Sequence, residues 1–524
     1  MIQLVAVIIT VLLAVPAFYL VMRYNLHMFQ LNGYKNHEQV SWIKKNKRKQ
    51  LLLVLPGVAG VFLCLFPNTV LMVFLCIFWL IILRFYLFLK QSLTKKKLVY
   101  TKRVQRQIMT DVLLNLIVMV LVYLFCGYQY LPGTVGVLVP LQALLLLLVN
   151  LINRPVEKAV GQYFINDAKK LLRQSPDLTV IGVTGSYGKT SVKFYLQALL
   201  QEHFQVLVTP ESYNTPMGVV KTIRESLTPA HEIFICEMGA RYVGDIKEIC
   251  DIVHPKHGVI TSIGPQHLET FGGMENIVNT KFELADALPD GAFLFLNGDN
   301  EWIQDRSVAY RNRKVIFYRN QVSGEGYQAG EISLSQLGTS FEVTSPDGEK
   351  ETFQTKLVGE HNVINIIGAI AVANTLGIPL KELKVPVRRL RPVPHRMQML
   401  EQGNVTMIDD AYNSNPVGSK AAVETLAMFD GIRILITPGM VELGKEEDSY
   451  NYKFGTYAAK CCDYILLVGR AHVEPIRKGA LENGFAEERC LVYDHLQDAL
   501  AYAHSIRGEG HKYILLENDL PDHY

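Results

Sequence analysis

The chain has 524 residues, a formal charge of +3, 49% hydrophobic residues and eight cysteines. That length exceeds one ordinary domain, and the near-neutral balance gives no global polyanion-binding surface, so no nucleic-acid partner is expected. There is no CxxC or Cys/His cluster, and Cys461 and Cys462 are adjacent, which argues against a disulfide framework or a cysteine metal site and for reduced structural thiols.

Residues 1–153 are dominated by Leu, Val, Ile and Phe. Five apolar segments predict membrane helices at about 2–22, 51–66, 69–89, 109–127 and 134–152. The second is short and reads as tilted or re-entrant with the third, turning at Pro67-Asn68. One connection carries Lys44, Lys45, Lys47, Arg48 and Lys49, and another carries Lys95, Lys96, Lys97, Lys102, Arg103 and Arg106. Basic loops stay cytoplasmic, which predicts a multi-pass membrane protein with its N-terminus outside and everything after Arg154 inside. A cleaved signal peptide fits less well, because the first segment lacks a positive n-region. Asp111 and Asn115 read as interfacial residues rather than a proton path.

After Arg154-Pro155 the pattern becomes that of an α/β protein. Strand-like runs at Thr179–Val183, Val206–Thr209, Ile233–Glu237, His257–Ser262 and Ala292–Asn297 alternate with helical stretches, predicting a mostly parallel sheet. The first strand runs into Gly185-Ser186-Tyr187-Gly188-Lys189-Thr190-Ser191. Glycines there let backbone N–H groups and a helix N-terminus approach phosphate, so the stretch predicts an ATP site. Lys189 is placed to reach the β- and γ-phosphates and the Thr190 hydroxyl to ligate Mg²⁺. Val183 stands where the full eight-residue pattern has its first glycine. Glu237 ends a later strand, where a carboxylate can hold Mg²⁺ beside the phosphate loop; His267 also falls just past a strand, and Lys281 lies on the following helix.

Prolines 386, 392 and 394 predict a hinge around 380–396. Beyond it, strands at Val405–Ile408, Ile432–Thr437, Tyr464–Val468 and Lys512–Leu516 predict a second, Rossmann-like sheet. Asp409 and Asp410 end its first strand and Arg396 lies just upstream, an arrangement suited to closing over a nucleotide. The expected organisation is a transmembrane region at 1–153, a central ATP-binding domain at 154–380 and a C-terminal domain at 381–524.

These residues together resemble the Mur ligase family of ATP-dependent amide-bond ligases. The motifs run in family order: Thr184 to Thr190, Asn214-Thr215-Pro216-Met217-Gly218, Glu237-Met238-Gly239-Ala240, Gly264 to Glu269 and Gly359 to Asn365. Asp409 to Pro416 and Gly439 to Gly444 are similar to the MurF type. The resemblance implies catalytic roles for Lys189, Lys281 and His267, with Lys281 where the family carries a carbamylated lysine. It implies ATP contacts from Gly185, Ser186, Gly188, Lys189, Thr190, Ser191, Asn297, His361, Asn362, Asn365, Arg396 and Asp410. Thr190, Glu237 and His267 would hold Mg²⁺, and Asn214, Gly218, Tyr412, Asn413, Ser414 and Asn415 would face the substrates. The implied reaction joins D-alanyl-D-alanine, or a similar amine, to a muramyl-peptide carboxylate through an acyl phosphate in cell-wall precursor synthesis.

Two departures from the MurF type stand out. Membrane segments replace its soluble UDP-sugar domain, which raises a lipid-linked acceptor as an alternative. Leu515 to Asp522 replaces a basic Lys-Gly-Ser-Arg loop, which raises a different amine donor. Two other classes, an ATP-driven transporter or flippase and a catalytically silent scaffold, are disfavoured. No transporter-ATPase signature or row of buried charges occurs, and Lys189, Glu237, His267 and Lys281 are intact.

Overall fold

The computed structural model describes residues 2–46, 53–92, 97–211, 213–310, 313–321, 324–335, 338–412 and 414–519. The chain divides into two compact units, residues 1–162 and 163–520.

In the first unit, three helices are long and apolar enough to cross a membrane: Ile2–Leu31, the part of Thr69–Ser92 up to Leu87, and Lys102–Cys126. Ala14, Ala17, Val21, Leu75, Trp79 and Ile82 form a core shared by the first two, while Leu12, Val73, Leu80, Leu113 and Phe125 point outward. Such an apolar exterior is what a helix bundle presents to lipid. Two of the five expected segments come out differently. Val54–Leu65 has only 12 residues, or roughly 18 Å of helix, too short to span alone. The expected helix at 134–152 is broken, with Tyr128–Leu138 and Gln142–Arg173 meeting at 86°. Pro140, which has no N–H to donate, lies in the break. Asp111 and Asn115 are both buried, and Asn115 accepts from Gln142 Nε2 at 3.2 Å. Their face of the helix packs inward against protein. At the end of this seam Arg106 donates twice to Glu157, at 2.7 and 2.8 Å.

The second unit holds two sheets. The nine strands of the first are β1 Thr179–Thr184, β2 Val206–Val208, β3 Ile233–Glu237, β4 His257–Ile260, β5 Phe293–Asn297, β6 Lys314–Arg319, β7 Tyr327–Ser335, β8 Gly338–Thr344 and β9 Lys350–Thr355. Their order is β2-β3-β1-β4-β5-β6-β7-β8-β9, parallel from β2 to β7 and antiparallel through β8 and β9. The six strands of the second are β10 Gln398–Gln402, β11 Val405–Asp410, β12 Ile432–Thr437, β13 Tyr464–Val468, β14 Cys490–Tyr493 and β15 Lys512–Glu517. These run in the order β10-β11-β15-β12-β13-β14, with only β10 antiparallel.

Near-continuous apolar strands such as Ile233-Phe234-Ile235-Cys236 are buried on both faces, as parallel strands covered by helices must be. One face is covered by the helices Lys189–Leu200, Glu360–Thr375 and Leu380–Arg388, through Val192, Leu196, Ile366, Ile370 and Leu383. Register matters most for function. Val183 pairs with Glu237 and Thr184 with Ile260, so the carboxyl ends of β3, β1 and β4 stand level. The loops leaving those ends form one rim.

Candidate active site

The phosphate loop leaves β1 at the centre of that rim. Gly185 has φ +151°, and a Cβ there would sit 2.1 Å from Thr261 Oγ1, so only glycine lets the loop lie against β4. The loop is then pinned: Ser186 N donates to Ser262 O at 2.7 Å, Tyr187 N to Ser262 Oγ at 2.8 Å, and Ser186 Oγ to Gly264 O at 3.0 Å. Gly188, at φ +79°, leads into the helix Lys189–Leu200, whose first turn holds Thr190 and Ser191. Lys189 Nζ folds back over the loop and donates to Gly185 O at 2.7 Å and Ser186 O at 3.1 Å. Burial, opposed by Glu237, lowers its pKa to about 8.

Glu237, at the end of β3, is 1% exposed. Its Oε1 accepts from Thr190 Oγ1 and from Asn214 Nδ2, each at 3.0 Å. Its Oε2 lies 3.0 Å from Lys193 Nζ, a buried ion pair. Burial alone would raise the Glu237 pKa, but Lys193 and Lys189 outweigh it and hold the carboxyl below its ordinary value. A buried carboxylate beside a threonine hydroxyl is a hard oxygen donor set that fits Mg²⁺. Lys281, 1% exposed on the helix Met274–Asp286, has its pKa pushed well below the ordinary value by burial and by Lys189.

His267 follows β4 in a left-handed conformation, φ +53°. Its Nδ1 is bonded to Glu442 of the C-terminal domain. Burial lowers its pKa, and the Glu442 carboxylate opposes that shift.

The remaining expected contacts fall into two groups. Asn365 Oδ1 lies 2.5 Å from where a Gly188 Cβ would stand, so it abuts the phosphate loop. His361 begins the same helix, and burial lowers its pKa to about 4. Asn362 is tied into the protein, accepting from Tyr195 Oη at 2.8 Å and donating to Val358 O at 2.9 Å. Asn297 likewise donates to Thr261 O at 2.9 Å and accepts from Asp299 N at 3.0 Å. Gly218 donates to Thr215 Oγ1 at 3.3 Å in the first turn of the helix Pro216–Ser226.

On the C-terminal domain, the Arg396 guanidinium stacks 4.5 Å over the Tyr412 ring. Asp410 accepts from Met397 N at 3.1 Å, and burial raises its pKa to about 6. Ser414 donates its hydroxyl to Glu517, and its N–H goes to Asn518 Oδ1 at 3.1 Å. Asn415 caps the helix Pro416–Leu426, accepting from Gly418 N at 2.7 Å. Asn413 lies outside the described residues.

Four residues that the motif reading passed over also belong to this neighbourhood: Lys193, Arg241, Glu442 and Glu517. Lys193 is one helical turn beyond Lys189, and that spacing alone puts both on one face. Arg241 and Glu442 sat near or inside quoted motifs, but their meeting is a tertiary fact. Glu517 ends β15 and accepts from Ser414 and, at 2.8 Å, from Thr437 Oγ1.

Family comparison agrees with this geometry. Residues 183–373 match the Mur ligase middle domain, and residues 395–516 match the domain described as Mur ligase, glutamate ligase domain. The UDP-N-acetylmuramoyl-tripeptide–D-alanyl-D-alanine ligase of Escherichia coli is 30% identical over 353 residues, covering 65% of this chain and 77% of that one. Its Bacillus subtilis counterpart is 29% identical over 325 residues, covering 61% and 69%. Among solved structures, MurF of Thermotoga maritima in complex with ADP superposes with a TM-score of 0.61 at 25% identity, covering 68% of this chain and 80% of that chain. MurF of Acinetobacter baumannii, at 24% identity and a TM-score of 0.63, shares the fold over 70% of this chain and 78% of that chain. The chain belongs to the Mur ligase family. Within it the chain is of the MurF type, an ATP-dependent ligase.

Proposed function

We propose that the chain joins D-alanyl-D-alanine, or a similar amine, to a muramyl-peptide carboxylate in cell-wall precursor synthesis, with ATP converted to ADP and phosphate. The observation that carries this is the level rim, where the Gly185–Thr190 loop, Glu237 and Lys281 gather and the C-terminal domain meets it through Glu442.

A carboxylate does not condense with an amine in neutral water, because its oxygen is a poor leaving group. Attack of the acceptor carboxylate on the γ-phosphorus of ATP gives an acyl phosphate and ADP. The amine, having lost a proton, then attacks the carbonyl carbon, and the tetrahedral oxyanion collapses with loss of phosphate. Lys189 and the loop N–H groups bind and orient the phosphates. Thr190, Glu237 and His267 would hold Mg²⁺, which supplies neutralisation of phosphate charge when bound. Burial pushes the Lys281 pKa well below its ordinary value and so favours the uncharged amine, the form that adds CO₂ to give a carbamate, which supports a carbamylated lysine at this position. Asn297, His361, Asn362 and Asn365 on the central domain, with Arg396 and Asp410 on the closing domain, are assigned to the nucleotide side. Asn214, Gly218, Tyr412, Ser414 and Asn415 are assigned to the substrates. Closure of the C-terminal domain excludes water, which protects the acyl phosphate from hydrolysis.

The apolar helices of residues 1–162 favour a membrane protein with its N-terminus outside and its ligase domains in the cytoplasm. They also favour an acceptor presented on a lipid carrier, since they lie outside the matched family domains at 183–373 and 395–516. Detergent-purified protein, incubated with ATP, Mg²⁺, D-alanyl-D-alanine and matched soluble UDP-linked or lipid-linked acceptors, tests both readings by product mass. A mass gain on either acceptor supports the ligase reading. Equal rates on both would sink the lipid preference, and no product on either would sink this donor–acceptor pair.

A further inference from the structure

Glu442 makes the most specific contact between the two ligase domains. One carboxylate oxygen meets His267 Nδ1 and the other meets Arg241 Nη2. The backbone joins as well, with Glu269 N donating to Glu442 O at 3.4 Å. The receiving side is prearranged. Thr270 Oγ1 reaches Arg241 O at 2.6 Å and His267 O at 3.0 Å, and Arg241 N is fixed by Asp245 Oδ2 at 2.8 Å. Arg241 and His267 therefore stand as a two-pronged receptor for one carboxylate, built by the central domain and filled by the C-terminal one. Both partners of the histidine bond have left-handed backbones, φ +53° at His267 and φ +65° at Glu442. Non-glycine residues keep that conformation only where surrounding contacts over-determine it.

We infer that Glu442 is a positioning residue that makes the closing domain part of the metal site. This rests on the proposed role of His267 as a metal ligand. Imidazole ligates through one ring nitrogen, and a carboxylate on the other fixes tautomer and ring orientation and raises ligand basicity. With Nδ1 held by Glu442, Nε2 is the nitrogen left to a cation. The His267 ring is thus fixed by Glu442 when the C-terminal domain is docked, which couples metal capture to domain closure. Arg241, on the second carboxylate oxygen, fixes the angle at which Glu442 arrives.

The test is Mn²⁺ affinity, read by electron paramagnetic resonance on the full-length protein with ADP and no turnover. E442A is expected to weaken one Mn²⁺ site by about 10–100-fold. E442Q keeps an oxygen that accepts from Nδ1–H and should lose less, a rescue that a purely structural contact would not produce. H267A should remove the site altogether. Melting temperature identifies any variant that fails to fold, in which case E442Q carries the comparison. Unchanged Mn²⁺ affinity in E442A and E442Q, with the site lost in H267A, would overturn the positioning role. An intact site in H267A would instead remove the metal assignment on which the role rests, so the two failures are distinguishable.

Discussion

Lys193 and Glu237 form an ion pair sealed inside the central domain, with Nζ 3.0 Å from Oε2 and side-chain exposures of 0% and 1%. Lys193 Nζ also donates to Glu211 O, so the lysine ties the end of β3 to the loop after β2. Its charge offsets the cost of keeping Glu237 ionised beside the phosphate loop.

Removing the lysine alone leaves a buried carboxylate unpaired. K193M is expected to cost about 3 kcal/mol of stability, because a buried charge stripped of its partner is strongly destabilising. K193M/E237Q should recover most of the melting temperature without recovering ligation. Calorimetry and product formation on the same preparations check both halves.

Burial brings the Lys189 pKa down to about 8, so the free enzyme loses this positive charge as pH rises through that value. Bound phosphates favour the charged form and restore it. The expected profile is a kcat/KM for ATP that falls above about pH 8, while kcat at saturating ATP holds level further into the alkaline range. A kcat/KM flat to pH 10 would exclude Lys189 as the group that titrates.

The phosphate loop depends on a missing side chain. G185A would put a methyl group 2.1 Å from Thr261 Oγ1 at a φ of +151°. ATP binding should fall by at least about 100-fold, since a 1 Å displacement of a catalytic loop has effects of that size. Equilibrium binding of a fluorescent ATP analogue reads the loss directly. The apolar helices of residues 1–162 should fold regardless, giving unchanged helical content.

Glu517 is buried at the end of β15, and its pKa is raised from 4.5 to about 7 by burial, against the hydrogen bonds from Ser414 and Thr437. A carboxyl with a raised folded-state pKa binds protons more tightly folded than unfolded. Its contribution to stability is therefore fully present below pH 4.5 and declines as pH rises to about 7. E517Q cannot ionise, so between pH 4 and pH 8 it should gain about 3 kcal/mol relative to the native chain. Melting temperatures of both proteins across that range give the difference.

Much of the ligase half was legible before any coordinates. The loop from Gly185 to Thr190 declares itself because its chemistry is local, needing only a strand, glycines and a helix start. Strands such as Ile233–Glu237 and Tyr464–Val468 were legible to the residue because parallel strands buried on both faces are continuous apolar runs. The antiparallel strands β7 to β9 escaped for the opposite reason. They alternate buried and exposed residues, as in Tyr327–Ser335, and carry many polar side chains. The bend at Val139–Leu141 was hidden because hydropathy does not register direction, although Pro140 marked the place. Arg241 and Glu442 are 201 residues apart, and no spacing rule reaches that far.

The paired left-handed residues have a consequence for how the protein can change. Glycine would sit at either position without steric penalty, whereas a side chain there costs about 1–2 kcal/mol. A search for thermostable variants should therefore find glycine at 267 or 442 attractive, and each such gain would remove the imidazole or the carboxylate that joins the domains. The glycine variant and the working enzyme lie in opposite directions from this pair, since relief of local backbone strain comes only with loss of the contact that closes the domains.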